Sequence, residues 1–306
     1  MHIHPDVAGL RHGLPAQPLT DAALARWRAR GEVAAVLAAL PVFDAGAALE
    51  EVPVLARLLS DAGTAARLAG GLIEALAPAL AAEPLAQLPL GHTTAPGMAR
   101  LRLASHGRSA LTLAAYACRT EARPVSALFE DGLWHEVVIA GEGIALVHRR
   151  EGARLESTTV ALTPGTRLTR GGVEDARQII AVTRPVLMLQ LTREPAHPHP
   201  ACEIALADGS LVRTISGCRH TSQQMMALAV LGTLGHERAV PVMAALARDR
   251  SAERDLRWEA LRHCLALDAW AGLAALTELA DDPADGLADP ARALKTRLSP
   301  LLAEAA

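Results

Sequence analysis

Between Met98 and Ile215 the apolar residues recur at every second position, and this constrains the chain more than any other feature of it. LRLAS, SALTLAAY, VSALFE, HEVVIA, GIALVHRR, STTVALT, RQIIAVT, PVLMLQLT, CEIALA and SLVRTIS are short segments parted by EDG, GEG, TPG and ADG. A period of two sends alternate side chains to opposite faces of a strand, and Gly, Pro and Asp punctuate turns. About ten strands at this spacing predict an antiparallel sandwich or barrel.

Helical periods flank the strands. From Thr20 to Leu88 the apolar residues Leu24, Trp27, Val33, Val36, Leu37 and Leu40 recur at three- and four-residue steps, with Thr20 as the expected N-cap and Pro41 as the expected stop. Leu49, Val52, Leu55, Leu58 and Leu59, then Leu68, Leu72, Ile73, Leu76 and Leu80, supply further apolar faces. After Thr221, residues 227–249 lie over 260–282 at a constant offset of 33, matching Leu228 to Leu261, Leu234 to Leu267, Leu246 to Leu279 and Asp249 to Asp282. Each copy reads as two helices joined near Gly235 or Asp268, and the pattern resembles HEAT-type repeats, whose helix pairs stack on one another. The expected organisation is α+β: a helical region over 1–97, an antiparallel β domain over 98–220 and HEAT-like helices over 221–306.

Several chemistries are excluded by what the chain lacks. Lys295 is the only lysine, so no GxxxxGK[ST] phosphate loop exists, and GxSxG and HExxH are absent too. A net charge of −3 argues against nucleic acid as a partner. The opening MHIHPDVAGLRHG lacks the charged-then-apolar order of a signal peptide, and no uninterrupted apolar run is long enough for a bilayer. Cys118, Cys202, Cys218 and Cys264 form no CxxC, which suits reduced thiols and a cytoplasmic protein without a membrane partner.

Two histidine pairs are candidate sites. With Gly141-Glu142 as a two-residue hairpin turn, Ala140 pairs with Gly143 and His135 faces His148, their Cβ atoms about 5 Å apart. A three-residue turn instead puts Glu136 opposite His148. His135, His148 and Glu136 are therefore candidate metal ligands, for zinc or iron. A second hairpin turned at Asp208-Gly209 sets His199 against Cys218 and His197 against His220, four donors of zinc type. Arginines crowd the β region, and where several converge they make a receptor for carboxylate or phosphate. Arg167 and Arg177, with His135, His148 and His92, are the expected ligand-contacting residues.

Residues 125–192 also resemble the cupin family of jelly-roll barrels. VVIAGEGIAL is similar to the strand, turn and strand that follow the family's metal motif, ALTPGTRL to the Pro-Gly turn of its second motif, and RQIIAVTRPVLMLQL to its closing strands. The family's metal-binding positions fall near Leu128, Glu130, Leu133 or Trp134, and Ala176 or Arg177, so its ligands are replaced. The resemblance thus implies the barrel without its metal, and carries no cupin activity to His135 or His148. The expected function is non-catalytic: binding of a small acidic molecule or a peptide, with the C-terminal helices offering a surface to a protein partner. The alternative is a metal-dependent cupin-type enzyme, such as a non-haem iron oxygenase, with a rearranged histidine site.

Overall fold

The computed structural model describes residues 16–120, 123–152, 154–217 and 219–304. The chain divides into two compact units, Met1–Ile215 and Ser216–Ala306. The class is α+β, with an antiparallel sheet region between helical segments in the sequence.

The first unit begins with α1 (Pro18–Arg28), α2 (Gly31–Asp44), α3 (Pro53–Ser60) and α4 (Ala62–Ala82). Thr20 is not the N-cap. Helix α1 starts at Pro18, whose missing N–H costs nothing in a first turn. The cap comes from far along the chain: the Glu83 carboxylate accepts the Leu19 and Thr20 N–H groups at 2.9 Å and the Thr20 hydroxyl at 2.7 Å. Pro41 does not stop α2 either, because it falls in the closing turn, where one lost backbone bond is tolerated. Asp61 caps α4 through the Gly63 and Thr64 N–H groups. Helix α4 is long and apolar enough to cross a membrane by length and composition, yet Leu68, Leu72 and Leu76 lie in the core of this unit. Ile73, expected on that apolar face, is exposed.

The sheet region holds β1 (His92–Ala95), β2 (Met98–His106), β3 (Ser109–Tyr116), β4 (Arg119–Thr120), β5 (Ser126–Phe129), β6 (Leu133–Glu151), β7 (Arg154–Leu162), β8 (Arg167–Gly171), β9 (Asp175–Arg193), β10 (Ala201–Ala205) and β11 (Leu211–Ile215). The larger sheet runs β1-β2-β3-β9-β6-β7, with β8 also on β6 and β4 on β9; the smaller runs β11-β10-β5. The first hairpin of the larger sheet begins before Met98, within the expected helical region: His92–Ala95 is a strand, turned at Pro96-Gly97 onto β2.

The main correction concerns GEG. There is no hairpin between His135 and His148: β6 is one continuous strand of 19 residues, paired along its length with the equally long β9. The pairing shifts register at Val138/Ala140, Ala140/Glu142, Glu142/Gly143 and Ile144/Ala145, so the glycines mark a bulged bend, not a turn. Gly141 has φ +93°, and a Cβ there would meet the Pro185 carbonyl oxygen at 2.0 Å; one on Gly143 would meet that of Ala181 at 2.6 Å. Only glycine allows the β6–β9 ribbon to bend so sharply. Either half of the ribbon then has its own cover. Leu103, Leu111, Val137, Leu189 and Leu191 pack under the helices in one core, while Phe129 of β5 and Ile204 of β10 pack with Ala176 on the far half. Each fully buried Leu or Phe adds about 1.5–3 kcal/mol of transfer free energy.

The Asp208-Gly209 hairpin also differs in register. Cys202 pairs with Thr214 and Ala201 with Ile215, and the Ala205 N–H bonds to the Ser210 carbonyl, so the loop is longer than two residues and the expected facing pairs do not form.

The second unit is built of α5 (Arg219–Thr233), α6 (Val240–Arg248), α7 (Arg254–Leu267), α8 (Ala269–Asp281) and α9 (Ala288–Glu304). Leu228 and Leu261, matched in the sequence, are both buried, as are Ala247 and Ala280. Gly235 (φ +64°) ends the first helix pair's turn, whereas Asp268 caps α8 through the Trp270 and Ala271 N–H groups. Arg257 and Asp285 form a buried ion pair at 2.5 Å, and Arg257 also donates to the Ala247 carbonyl.

Candidate functional site

The register across the larger sheet fixes which side chains share its inner face. Arg102 lies opposite Thr112, Thr112 opposite Gln190, and Gln190 opposite Glu136. One row along, Ala110, Thr192, Trp134 and Arg170 follow one another. In the row on the other side come Arg100, Ala114, Met188 and Val138. These rows floor a cavity of about 500 Å³ whose lining includes Arg100, Arg102, Thr112, Trp134, Arg170 and Gln190.

Behind Arg170 and Gln190 of that lining sits a buried charge cluster. Glu136 is 1% exposed, and its Oε1 accepts from Gln190 Nε2 at 2.6 Å. Arg177 Nε stands 3.2 Å from Glu136 Oε2 and an Arg170 guanidinium nitrogen 3.8 Å from Oε1. Arg177 reaches this point from the far half of the ribbon, where it also donates to the Tyr116 hydroxyl at 3.3 Å. Arg170 stacks 4.5 Å over the Trp134 ring. Burial, aided by Arg177, pulls the Arg170 pKa down against the pull of Glu136. Burial also works against Arg177, but Glu136 and Tyr116 outweigh it and raise its pKa. Guanidinium groups stay charged under such shifts, so two cations share one carboxylate.

The cluster is not fully satisfied. Glu136 Oε2, Arg170 Nε and Arg177 Nε are buried without a hydrogen bond; the Arg177–Glu136 approach is near enough for charge attraction but not aligned for one. Nearer the rim, Arg100 and Arg102 are exposed and have no ion pair or side-chain hydrogen bond among the described residues. Glu130 and Glu194 oppose five arginines in the lining. Three of those five are engaged: Arg170 with Glu136, Arg193 as donor to the Phe43 and Ala47 carbonyls, and Arg108 as donor to that of Glu194.

The expected site residues are distributed over several places. Arg177 belongs to the buried cluster and does not line the cavity, whereas His92 lines it from β1, its Nδ1 near the Leu90 carbonyl. His135 is on the opposite face from Glu136, edge-on to Phe43 at 6.1 Å, with Nδ1 3.3 Å from the Thr169 hydroxyl and Nε2 buried without a partner. It shares a cavity of about 490 Å³ with Arg167 and Arg57. His148 lies on the far half, against Ser157 and Gln178. Glu136 lines the His135 cavity too, but as neighbours on a strand the His135 and Glu136 side chains point apart, and His148 is separated from both along it, so the three do not converge. Of the second set, His199 bonds Asp131 at 2.8 Å, His197 precedes β10 and is exposed, His220 stands on α5 of the other unit, and Cys218 lies outside the described residues. Among the described residues no group of three or more His, Cys, Asp or Glu is arranged to hold a metal ion. Sequence reading missed Glu136 as an ion-pair centre, Arg170 and Gln190; the signal was a lone polar residue inside the apolar runs HEVVIA and LMLQLT.

Fold and cavity define an α+β protein whose antiparallel sheet carries an arginine-lined pocket on its inner face. No protein-family model matches the sequence, and no curated protein matches it. Solved structures similar to it include a chain from a DMSP lyase study, with TM-score 0.32 and 20% identity over 59% of this chain and 98% of that one. A cupin superfamily protein from Desulfitobacterium hafniense gives TM-score 0.24 and 17% identity over 34% of this chain and 83% of that one. A sugar phosphate isomerase of the cupin superfamily from Silicibacter pomeroyi gives TM-score 0.26 and 13% identity over 39% and 77%.

Proposed function

We propose that the inner-face cavity binds a small acidic molecule without transforming it. The observation that supports this reading is the pair of unpartnered arginines, Arg100 and Arg102, set beside a buried guanidinium whose Nε lacks a partner. A carboxylate or phosphate meets such donors with charge-assisted bonds, and does so best where the surroundings are partly dry. Thr112, Thr192 and Gln190 add neutral polar contacts, and Trp134 gives a flat wall. The ligand is an acid of metabolite size, by the volume of about 500 Å³.

The competing reading is a metal-dependent cupin-type enzyme using His135, His148 and Glu136. Against it stand the two guanidinium groups beside Glu136, which occupy the carboxylate and repel a divalent cation. The HEAT-like character of the second unit and its use as a partner surface belong to the same proposal. Met226 and Val230, one turn apart on α5, and Leu234, just past its end, support it by being exposed.

The test is to denature the purified protein and analyse what it releases by mass spectrometry, with metal content measured in parallel. A carboxylate or phosphate compound that accompanies the wild type and is lost from Arg100→Ala/Arg102→Ala supports the proposal. Stoichiometric iron or zinc, lost on replacing His135, His148 or Glu136, overturns it.

A further inference from the structure

A second cavity, distinct from the arginine-lined one, lies on the opposite face of the far half of the ribbon. It measures about 380 Å³ and is walled by Pro124, Val125, Leu146 and Leu206, with Arg123 as its cationic residue. His148 and Ser157 form part of its lining, directly opposite each other on β6 and β7. Ser157 is exposed, whereas His148 is 0% exposed. The Ser157 hydroxyl is 2.7 Å from His148 Nδ1, and His148 Nε2 is 3.0 Å from Gln178 Oε1.

The proton positions follow from a third bond. Gln178 Nε2 donates to the Ser126 carbonyl at 2.9 Å, and a carbonyl can only accept, so the other Gln178 atom is the oxygen that faces His148. His148 Nε2 must then carry the proton and donate to it. Nδ1 is left with a lone pair, and accepts the proton of the Ser157 hydroxyl. Burial, partly offset by the bond to Gln178, lowers the His148 pKa and keeps the ring neutral at neutral pH. A nucleophile, a base and a group that orients the base are thus in sequence, which is the arrangement of an activated serine.

We propose that Ser157 is a nucleophile for small acyl donors with an apolar acyl group, with His148 as its general base and Gln178 as a positioning residue. Ser157 Oγ bonds to the acyl carbon while its proton passes to His148 Nδ1. The carbon–oxygen bond to the leaving alcohol then breaks, and that alcohol takes the proton from His148. Water releases the acyl group as a carboxylic acid by the same route in reverse. Arg123 supplies positive charge at the cavity for the oxyanion that develops on the acyl oxygen.

A fluorophosphonate ester is the probe, since attack by an activated serine expels fluoride and leaves a stable adduct. Intact-mass and peptide analysis of the wild type should find one adduct, on Ser157, formed about 10²–10⁴-fold faster than on any other exposed serine. Ser157→Ala, at an exposed position, should stay folded and lose the adduct. The labelling rate should fall as pH is lowered and His148 protonates. Other charged groups near this face are engaged or cationic: Glu203 of β10 is held by Ser126 and Arg213, Glu156 of β7 by Arg154, and Arg150 of β6 stacks on Phe129. Gln178→Leu should slow labelling about tenfold and alter its pH profile while the adduct stays on Ser157. Labelling of several serines at similar rates, labelling retained in Ser157→Ala, or a rate independent of pH would each overturn the proposal.

Discussion

His135 and His148 stand on the same strand, yet the two halves of β6 treat them differently. On the first half, one face lies under the helices and the other carries Glu136 with its two arginines, so His135 sits edge-on to Phe43 beside a cavity lined by Glu50, Arg57 and Arg167, with Nε2 unpartnered. On the second half, the smaller sheet covers the face that His148 occupies, and both its nitrogens have partners. The difference teaches that the bend at Gly141 and Gly143, more than the residues themselves, decides what each polar side chain can do. It brings Arg177 back over Glu136 and leaves His148 facing a cavity of its own.

The comparison can be broken most strongly at the charge cluster. Glu136→Gln leaves Arg170 and Arg177 buried without a counter-charge, and should cost about 3–5 kcal/mol in chemical denaturation. Gly141→Ala attacks the bend, where positive φ and the Pro185 carbonyl both oppose a Cβ; a loss of about 2–3 kcal/mol is expected, together with weaker anion binding. The two histidines sharpen the contrast. His148→Leu strands the Ser157 and Gln178 partners and should cost about 1–3 kcal/mol, while His135→Leu removes an unpartnered nitrogen and should be near neutral.

Their titration gives a further check. Burial is the main cause that lowers both pKa values, opposed by Glu50 and aided by Arg193 at His135, and opposed by Gln178 at His148. As pH falls through the ordinary histidine value of about 6.5, the unfolded chain takes up protons that the folded one still refuses, so stability declines. Melting temperature should therefore be highest above that value and drop below it, with a shallower drop in His135→Leu. The smallest effect belongs to Arg184→Ala, which breaks an exposed pair with Glu142 at the bend and should change stability by less than about 1 kcal/mol.

Much of this architecture is legible in the sequence. Alternation located strands such as β3 because alternate residues are covered, although β11 is exposed throughout, and the three- and four-residue steps of Leu24, Trp27, Val33, Val36 and Leu40 located a buried helical face. What failed was the reading of GEG. A glycine with positive φ suits a hairpin turn and a bulge equally, and the choice is made by β9, some forty residues further along. The same non-local pairing decides that Glu136 meets Arg170, Arg177 and Gln190, and that His148 meets Ser157 and Gln178. Arg177 was singled out as a contact for an acidic ligand, and its approach to Glu136 was not foreseen, because its place depends on the ribbon folding back. Pro41 and Thr20 misled for a different reason: a cap from Glu83 and a proline in a last turn are decided by tertiary contacts.

Trp134 lines the proposed anion site and would report on it directly. Titration of citrate or inorganic phosphate into the wild type should give a saturable change in tryptophan emission. That change should vanish in Trp134→Phe and need at least about tenfold more ligand in Arg102→Ala. An identical response from the wild type and Arg102→Ala, or none up to millimolar ligand, would contradict the account.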